Sequence, residues 1–79
     1  MSTWLRSRGH RALITVLKAS REEARLTQRD LAERLGKPRS FVSKIESGER
    51  IPRINEFCDL AKAMKLDPEL LFQRFWRWR

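Results

Sequence analysis

The stretch LTQRDLAERLGKPRSFVSKIESGER, residues 26–50, predicts two short helices joined by a tight turn. Thr27 is followed three residues later by Asp30, so that the hydroxyl and the carboxylate can each accept a backbone N–H at a helix start. Gly36 is placed to end this helix, because glycine enters the left-handed backbone region at low cost. We therefore predict a helix over about residues 27–35.

The next helix follows almost at once. Pro38 suits the first turn of a helix, and Gly48 suits its end. The predicted helix covers about residues 38–47, and only Gly36 and Lys37 separate it from the helix before. Two short helices that are joined this tightly cross at a steep angle.

The outer surface of this later helix carries basic and hydroxyl side chains and no acidic one. At roughly 100° per residue, Phe41, Val42 and Ile45 share one face. The opposite face holds Arg39, Ser40, Ser43, Lys44 and Ser47. Serines allow a close approach to the major groove of DNA, and arginine, lysine and serine can hydrogen-bond base edges. A solvated helix face is the alternative interpretation, although such a face usually mixes charges of both signs.

Apolar residues at helical spacing flank this unit and predict an all-α fold of about five short helices around one core. We expect the first helix over about residues 10–24 and the fourth over about residues 54–64. The inner stripe of the fourth helix is expected to comprise Ile54, Phe57, Leu60, Ala61 and Met64. Asp67 and Pro68 are placed to cap and begin the fifth helix.

Three parts are expected along the chain. A flexible basic segment covers residues 1–9, the helical DNA-binding domain covers residues 10–75, and a basic aromatic tail covers residues 76–79. A domain of this size is marginally stable alone, so that association with a second copy would stabilise it.

The charge balance favours a polyanionic partner. The 79 residues include 18 Lys or Arg and 10 Asp or Glu, which gives a formal net charge of +8. Nucleic acid and an anionic membrane surface both suit such a charge. No run approaches the roughly 20 apolar residues of a membrane span, and the single cysteine, Cys58, excludes a disulfide framework. We expect a cytoplasmic protein that does not bind membranes.

The residue types that support catalysis are scarce and scattered. His10 is the only histidine and has no partner at metal-ligand spacing, so that we expect an exposed or helix-start side chain. Cys58 lies beside an apolar stripe and is expected to be a buried small residue. The glycines are isolated and the carboxylates form no pair. We expect no enzyme activity, no metal, no cofactor and no small-molecule ligand.

Residues 26–50 resemble the helix-turn-helix of the Cro and phage-repressor family, which is also called the XRE family. The matching positions are Gln28, Ala32, Gly36, Val42 and Ile45. The five-helix arrangement extends the resemblance over about residues 10–73, and it implies a lambda-repressor-like DNA-binding domain. The family often has glycine where this chain has Arg25, and a non-glycine residue in a left-handed turn costs on the order of 1 kcal/mol.

The resemblance also implies roles for individual residues. Gln28 corresponds to a glutamine that contacts a phosphate and braces the recognition helix, and Arg50 is a candidate phosphate ligand. Arg21 and Glu46 resemble a structural ion pair that links the first helix to the third. The candidate DNA-binding residues are Thr27, Gln28, Lys37, Arg39, Ser40, Ser43, Lys44, Ser47 and Arg50.

The C-terminal stretch ELLFQRFWRWR, residues 69–79, is more aromatic than a small monomer needs. Aromatic side chains and arginine are enriched at protein interfaces, and we expect a homodimer interface here. Its candidate residues are Leu71, Phe72, Phe75 and Trp76. Two alternatives stay open: the tail covers the protein's own core, or it touches a membrane or nucleic acid.

These features together predict a sequence-specific regulator of transcription that binds double-stranded DNA. A dimer would place its two recognition helices in successive major grooves of a pseudo-palindromic operator, as a repressor of the phage type does. The alternative is that the same fold serves as a protein–protein adaptor or antitoxin-like partner that does not recognise a DNA sequence. The acid-free face of the third helix argues against that alternative.

Overall fold

A capping side chain sets the start of the first helix. The computed structural model describes residues 7–79, and there the Ser7 Oγ accepts a hydrogen bond of 3.1 Å from the His10 backbone N–H. The helix therefore begins at Arg8, two residues earlier than the sequence predicts, and Gly9 belongs to it. The rest of the expected flexible segment, residues 1–6, lies outside the described residues.

Four more helices follow in the described part of the chain, which contains no strand. The all-α fold with five helices is thus confirmed. The helices are α1 (Arg8–Glu23), α2 (Gln28–Leu35), α3 (Arg39–Ser47), α4 (Ile54–Ala63) and α5 (Pro68–Trp78).

The start and the end of α2 follow from its sequence. The Thr27 Oγ1 accepts the Asp30 N–H at 3.0 Å, and the Asp30 carboxylate accepts the Thr27 N–H at 2.9 Å. Gly36 ends the helix in the left-handed conformation, with φ of 67°. Pro38 is the N-cap of α3, and Gly48 ends that helix with φ of 89°. The α2–α3 turn is consequently short and sharply bent.

One hydrophobic core joins all five helices. Ala32 and Ala61 are fully buried, and such small side chains allow neighbouring helices to approach closely. The buried cluster comprises Val16, Leu17, Leu31, Ala32, Val42, Ile45, Phe57, Leu60, Ala61, Met64 and Leu71. It holds α2 and α3 against α1, α4 and α5, and so fixes the position of α3 in the molecule.

Two side chains lie elsewhere than the sequence predicts, and a third differs in its burial. Leu71 is only 1% exposed and belongs to the core of its own chain, so its assignment to a dimer interface was wrong. Ile54 was expected in the inner stripe but is 75% exposed, because it is the first residue of α4 and the stripe runs past the edge of the core there. His10 lies at a helix start, as expected, but is buried.

The last helix is anchored to the first by an arginine. Arg74 donates hydrogen bonds to the Ser20 hydroxyl at 2.9 Å and to the Glu23 carboxylate at 2.8 Å. With this anchor α5 continues to Trp78, so most of the expected tail at residues 76–79 is helical. The guanidinium of Arg79 lies 3.5 Å from the centroid of the Trp76 ring.

Candidate nucleic-acid interface

The α3 helix presents a basic and hydroxyl-bearing surface to solvent. Its apolar side is held in the core by Val42 and Ile45, which are both buried. Of the predicted groove-facing residues, Ser43 is half-buried and the others are exposed: Arg39, Ser40, Lys44 and Ser47. The structure therefore brings these five residues together on one surface, which carries positive charge and short side chains.

Two serines of this surface also bond to their own helix. The Ser43 Oγ donates to the Ser40 carbonyl at 3.3 Å, and the Ser47 hydroxyl is shared between the Lys44 carbonyl, at 3.0 Å, and the Glu49 carboxylate, at 3.2 Å. Their hydroxyl oxygens keep acceptor capacity for a donor on a base edge. The base groups that offer such a donor in the major groove are the amino groups of adenine and cytosine.

The Glu46 carboxylate fixes the orientation of α3 against two other helices. It accepts hydrogen bonds from the Arg21 guanidinium at 2.7 and 3.1 Å and from the Gln28 amide at 2.9 Å. The Glu46 and Arg21 side chains are only 6% and 10% exposed. The hydrogen bond to Glu46 is the main cause that raises the pKa of Arg21. Arg21 also donates a bond of 2.7 Å to the Leu26 carbonyl, in the loop between α1 and α2. Together these bonds hold α1, α2 and α3 at one point.

The entrance of α2 forms a second basic surface beside α3. Arg29 and Arg39 line an open cleft there, together with Arg21, Thr27 and Gln28. Backbone N–H groups and arginines near a helix start are common phosphate ligands. Arg29, which is exposed, is a candidate that the sequence reasoning missed. The available signal was its position next to Gln28 in the first turn of α2.

A third group of basic side chains surrounds the Phe41 ring. The Lys37 ammonium lies 5.4 Å from the ring centroid, and the Arg50 guanidinium lies 5.1 Å from it. Both distances are within the range of cation–π attraction. Arg50 also donates to the Glu56 carboxylate at 2.6 Å. The sequence reasoning proposed Lys37 and Arg50 separately but missed Phe41 and Glu56, which bring them together.

Other kinds of site find no support in the described residues. Between residues 7 and 79, no group of three His, Cys, Asp or Glu side chains is placed to hold a metal ion. None of the five helices is long and apolar enough to cross a membrane. Cys58 is half-buried rather than fully buried.

Comparison with known proteins gives one consistent result. A family model described as helix-turn-helix matches residues 17–71. An uncharacterized HTH-type transcriptional regulator of Mycobacterium tuberculosis is 34% identical over 58 residues, which is 73% of this chain and 41% of that protein. A similarly named regulator of Sinorhizobium fredii is 37% identical over 51 residues, or 65% of this chain and 26% of its own length. The matched segment thus spans less than half of these relatives.

A solved structure extends the similarity to three dimensions. An XRE-family-like protein from Pseudomonas syringae pv. tomato superposes with a TM-score of 0.82 at 39% sequence identity. The match covers 87% of this chain and 84% of that one. The likeness therefore includes nearly the whole five-helix arrangement and not only the α2–α3 unit.

Proposed function

The chain belongs to the XRE family of helix-turn-helix regulators, and from this premise we propose that it binds double-stranded DNA sequence-specifically, as a homodimer, to regulate transcription. Membership of the family supports DNA binding and transcription regulation in general, and the family is generally of a non-enzymatic type. The sequence preference, the dimer and the residue roles are our proposals. The cytoplasm is the compartment in which such a protein would meet its operator.

The observation that carries this proposal is the surface of α3. It exposes arginine, lysine and serine side chains without an acidic residue, and it is held in one orientation by the Arg21–Glu46–Gln28 bonds. A helix fixed in this way can enter a major groove in one register. We assign base contacts to Arg39, Ser40, Ser43, Lys44 and Ser47, because they lie on the part of α3 that faces away from the core.

Phosphate contacts are assigned to the basic side chains around α3. Thr27, Gln28 and Arg29 lie at the entrance of α2, and Lys37 and Arg50 lie beside Phe41. Phosphate contacts fix the register on the duplex, whereas base contacts select the sequence. The Gln28 amide already donates to Glu46, so that its second amide hydrogen is the one left for a phosphate.

The proposed dimer surface lies where α4 and α5 meet. Ile54, Phe72 and Trp76 are exposed there, and Phe72 stacks on Trp76 with ring centroids 6.0 Å apart. Ile54 and Phe72 line one apolar groove. Phe75 is half-buried and contacts the edge of the core. An exposed apolar patch of this kind is typical of an interaction surface. Two copies joined here would present two α3 helices to one duplex, with half-sites roughly 34 Å apart.

Selection of bound duplexes from a random DNA pool, at roughly physiological salt, tests the proposal, since affinity depends steeply on salt. We expect an enriched motif with two-fold symmetry. Enrichment of a single half-site would support sequence recognition but contradict the dimer. Binding that is salt-sensitive but enriches no sequence would contradict specific recognition and favour the adaptor or antitoxin-like function.

A further inference from the structure

The Phe41 ring brings together two basic residues that lie 13 positions apart in the sequence, Lys37 and Arg50. Each cation is within about 5.5 Å of the ring centroid, so the two charges are no more than about 10.5 Å apart. Lys37 is in the α2–α3 turn, and Arg50 follows the end of α3. The ring therefore places one cation from before α3 and one from after it on the same part of the surface.

Arg50 is held on this ring by a carboxylate from α4. One oxygen of Glu56 accepts the Arg53 backbone N–H at 2.9 Å and so caps the helix start. The other oxygen accepts the Arg50 guanidinium at 2.6 Å. The Glu56 side chain is 12% exposed, whereas that of Arg50 is 41% exposed. The carboxylate is thus the fixed partner, and the arginine is the part that reaches solvent.

The backbone of Arg50 is fixed as well. Its N–H donates to the Lys44 carbonyl at 3.1 Å, at the end of α3. Both the main chain and the guanidinium of Arg50 are therefore tied to the helices on either side of the loop. The capping bond from Arg53 is the main cause that lowers the pKa of Glu56, and the bond from Arg50 adds to it.

We propose that Glu56 is a positioning residue, which holds the Arg50 guanidinium against Phe41 so that it is already oriented for a DNA phosphate before binding. This inference rests on the proposed function. An arginine that is ordered in advance loses less side-chain freedom when it binds, so that binding is tighter.

Two substitutions, each of which removes one negative charge, test this role. Glu56→Gln keeps an oxygen that can cap α4 but loses the charged bond to Arg50. Glu49→Gln removes a carboxylate from an exposed residue of the same loop. Glu49 makes no hydrogen bond or ion pair with Arg50, and its carboxylate lies 3.2 Å from the Ser47 hydroxyl. We expect Glu56→Gln to weaken binding of a fixed duplex about twofold to tenfold, and Glu49→Gln to strengthen it by electrostatics.

The two variants should also differ in their dependence on Arg50. In an Arg50→Ala background, Glu56→Gln should no longer weaken binding, because its effect acts through the arginine. Thermal unfolding shows whether Glu56→Gln is folded. If it is not, Phe41→Leu provides the second test, since it removes the ring, keeps an apolar side chain at this partly buried position, and should weaken binding by a similar factor.

The outcomes separate this inference from the function on which it rests. Wild-type protein that binds no duplex DNA at all overturns both. Wild-type protein that binds, with Glu56→Gln binding as tightly as Glu49→Gln or more tightly, overturns only the inference and identifies Glu56 as a competitor of the phosphate. A loss in Glu56→Gln that persists unchanged without Arg50 also overturns it.

Discussion

At the end of α1, Arg25 adopts the left-handed backbone conformation, with φ of 61°. Its N–H donates to the Glu22 carbonyl, and the next N–H donates to the Arg21 carbonyl, so that this conformation closes the helix. We expect Arg25→Gly to raise the free energy of unfolding by up to about 1 kcal/mol, because glycine relieves the strain but loses more entropy on folding. Urea denaturation measures the change. Arg25→Ala is the control, because it removes the charge and keeps the strain.

Arg39 and Arg50 are expected to contribute to DNA binding in different ways. Arg39 is exposed on α3, where a base edge would lie, and Arg39→Ala should cost about 1–3 kcal/mol on the selected operator and relax the sequence preference. Arg50→Ala should weaken binding to operator and scrambled duplexes alike and reduce the dependence on salt by about one counterion. Titrations of both duplexes at several salt concentrations distinguish them. An equal, sequence-independent loss in both variants would contradict the assignment.

The individual residues of the site differ in how well the sequence reveals them. The roles of Arg21, Gln28 and Glu46 follow from the resemblance to the XRE family, and the structure places their side chains within hydrogen-bonding distance. Glu56 was missed, because its bond to Arg50 depends on how the chain folds between α3 and α4. No helical period describes that loop, so only the three-dimensional structure shows the contact.

At the scale of the helices, α2 and α4 begin in the same way. Each has a carboxylate at its third position, Asp30 or Glu56, that accepts a backbone N–H from the cap residue. In both cases that hydrogen bond is the main cause of a lowered carboxyl pKa. The bonds therefore stabilise the folded state above the ordinary pKa values and are lost as the pH falls through the lowered ones.

The carboxylates at these two helix starts should make the stability of the protein sensitive to acid. We expect the free energy of unfolding of the wild-type protein to fall as the pH drops below about 4.5. The double variant Asp30→Asn, Glu56→Gln should be less stable at pH 7 and should lose less stability over the same acid range. Denaturation midpoints measured between pH 7 and 3 provide the test. Parallel curves for the two proteins would contradict a role for these carboxylates.

Helical periodicity predicted the interior of each helix better than its ends. The positions Phe57, Leu60, Ala61 and Met64 of the expected α4 stripe are buried, but Ile54 is not. The period is a property of one helix, whereas burial also requires a neighbour at that level. Leu71 differs from Ile54 in the opposite direction, because it was expected at a dimer interface but is buried. The apolar pattern of α5 suits either a partner or the protein's own core.

For the whole molecule, the exposed aromatic residues of α5 provide a test of the dimer. Phe72 and Trp76 stack on each other, whereas Trp78 lies on the other side of the helix, beside Thr15 and Ala19 of α1. We expect Phe72→Lys to convert the dimer to a monomer, as measured by sedimentation equilibrium, and to abolish tight binding to the two-fold operator. Trp78→Lys is the matched control and should remain dimeric. A wild-type protein that sediments as a monomer on the operator would contradict the interface.

The Glu46 carboxylate, which three side-chain donor groups from two residues reach at once, also has a consequence for the DNA. Because these bonds hold α3 against α1 and α2, an α3 helix that enters the major groove as proposed has little freedom to change its angle relative to the rest of the domain. In the proposed dimeric complex the duplex would bend or twist to match both helices, and the energy of that deformation depends on base pairs that no side chain touches. Two operators with identical half-sites should therefore differ in affinity when one has a flexible TA step at its centre and the other a stiff A-tract.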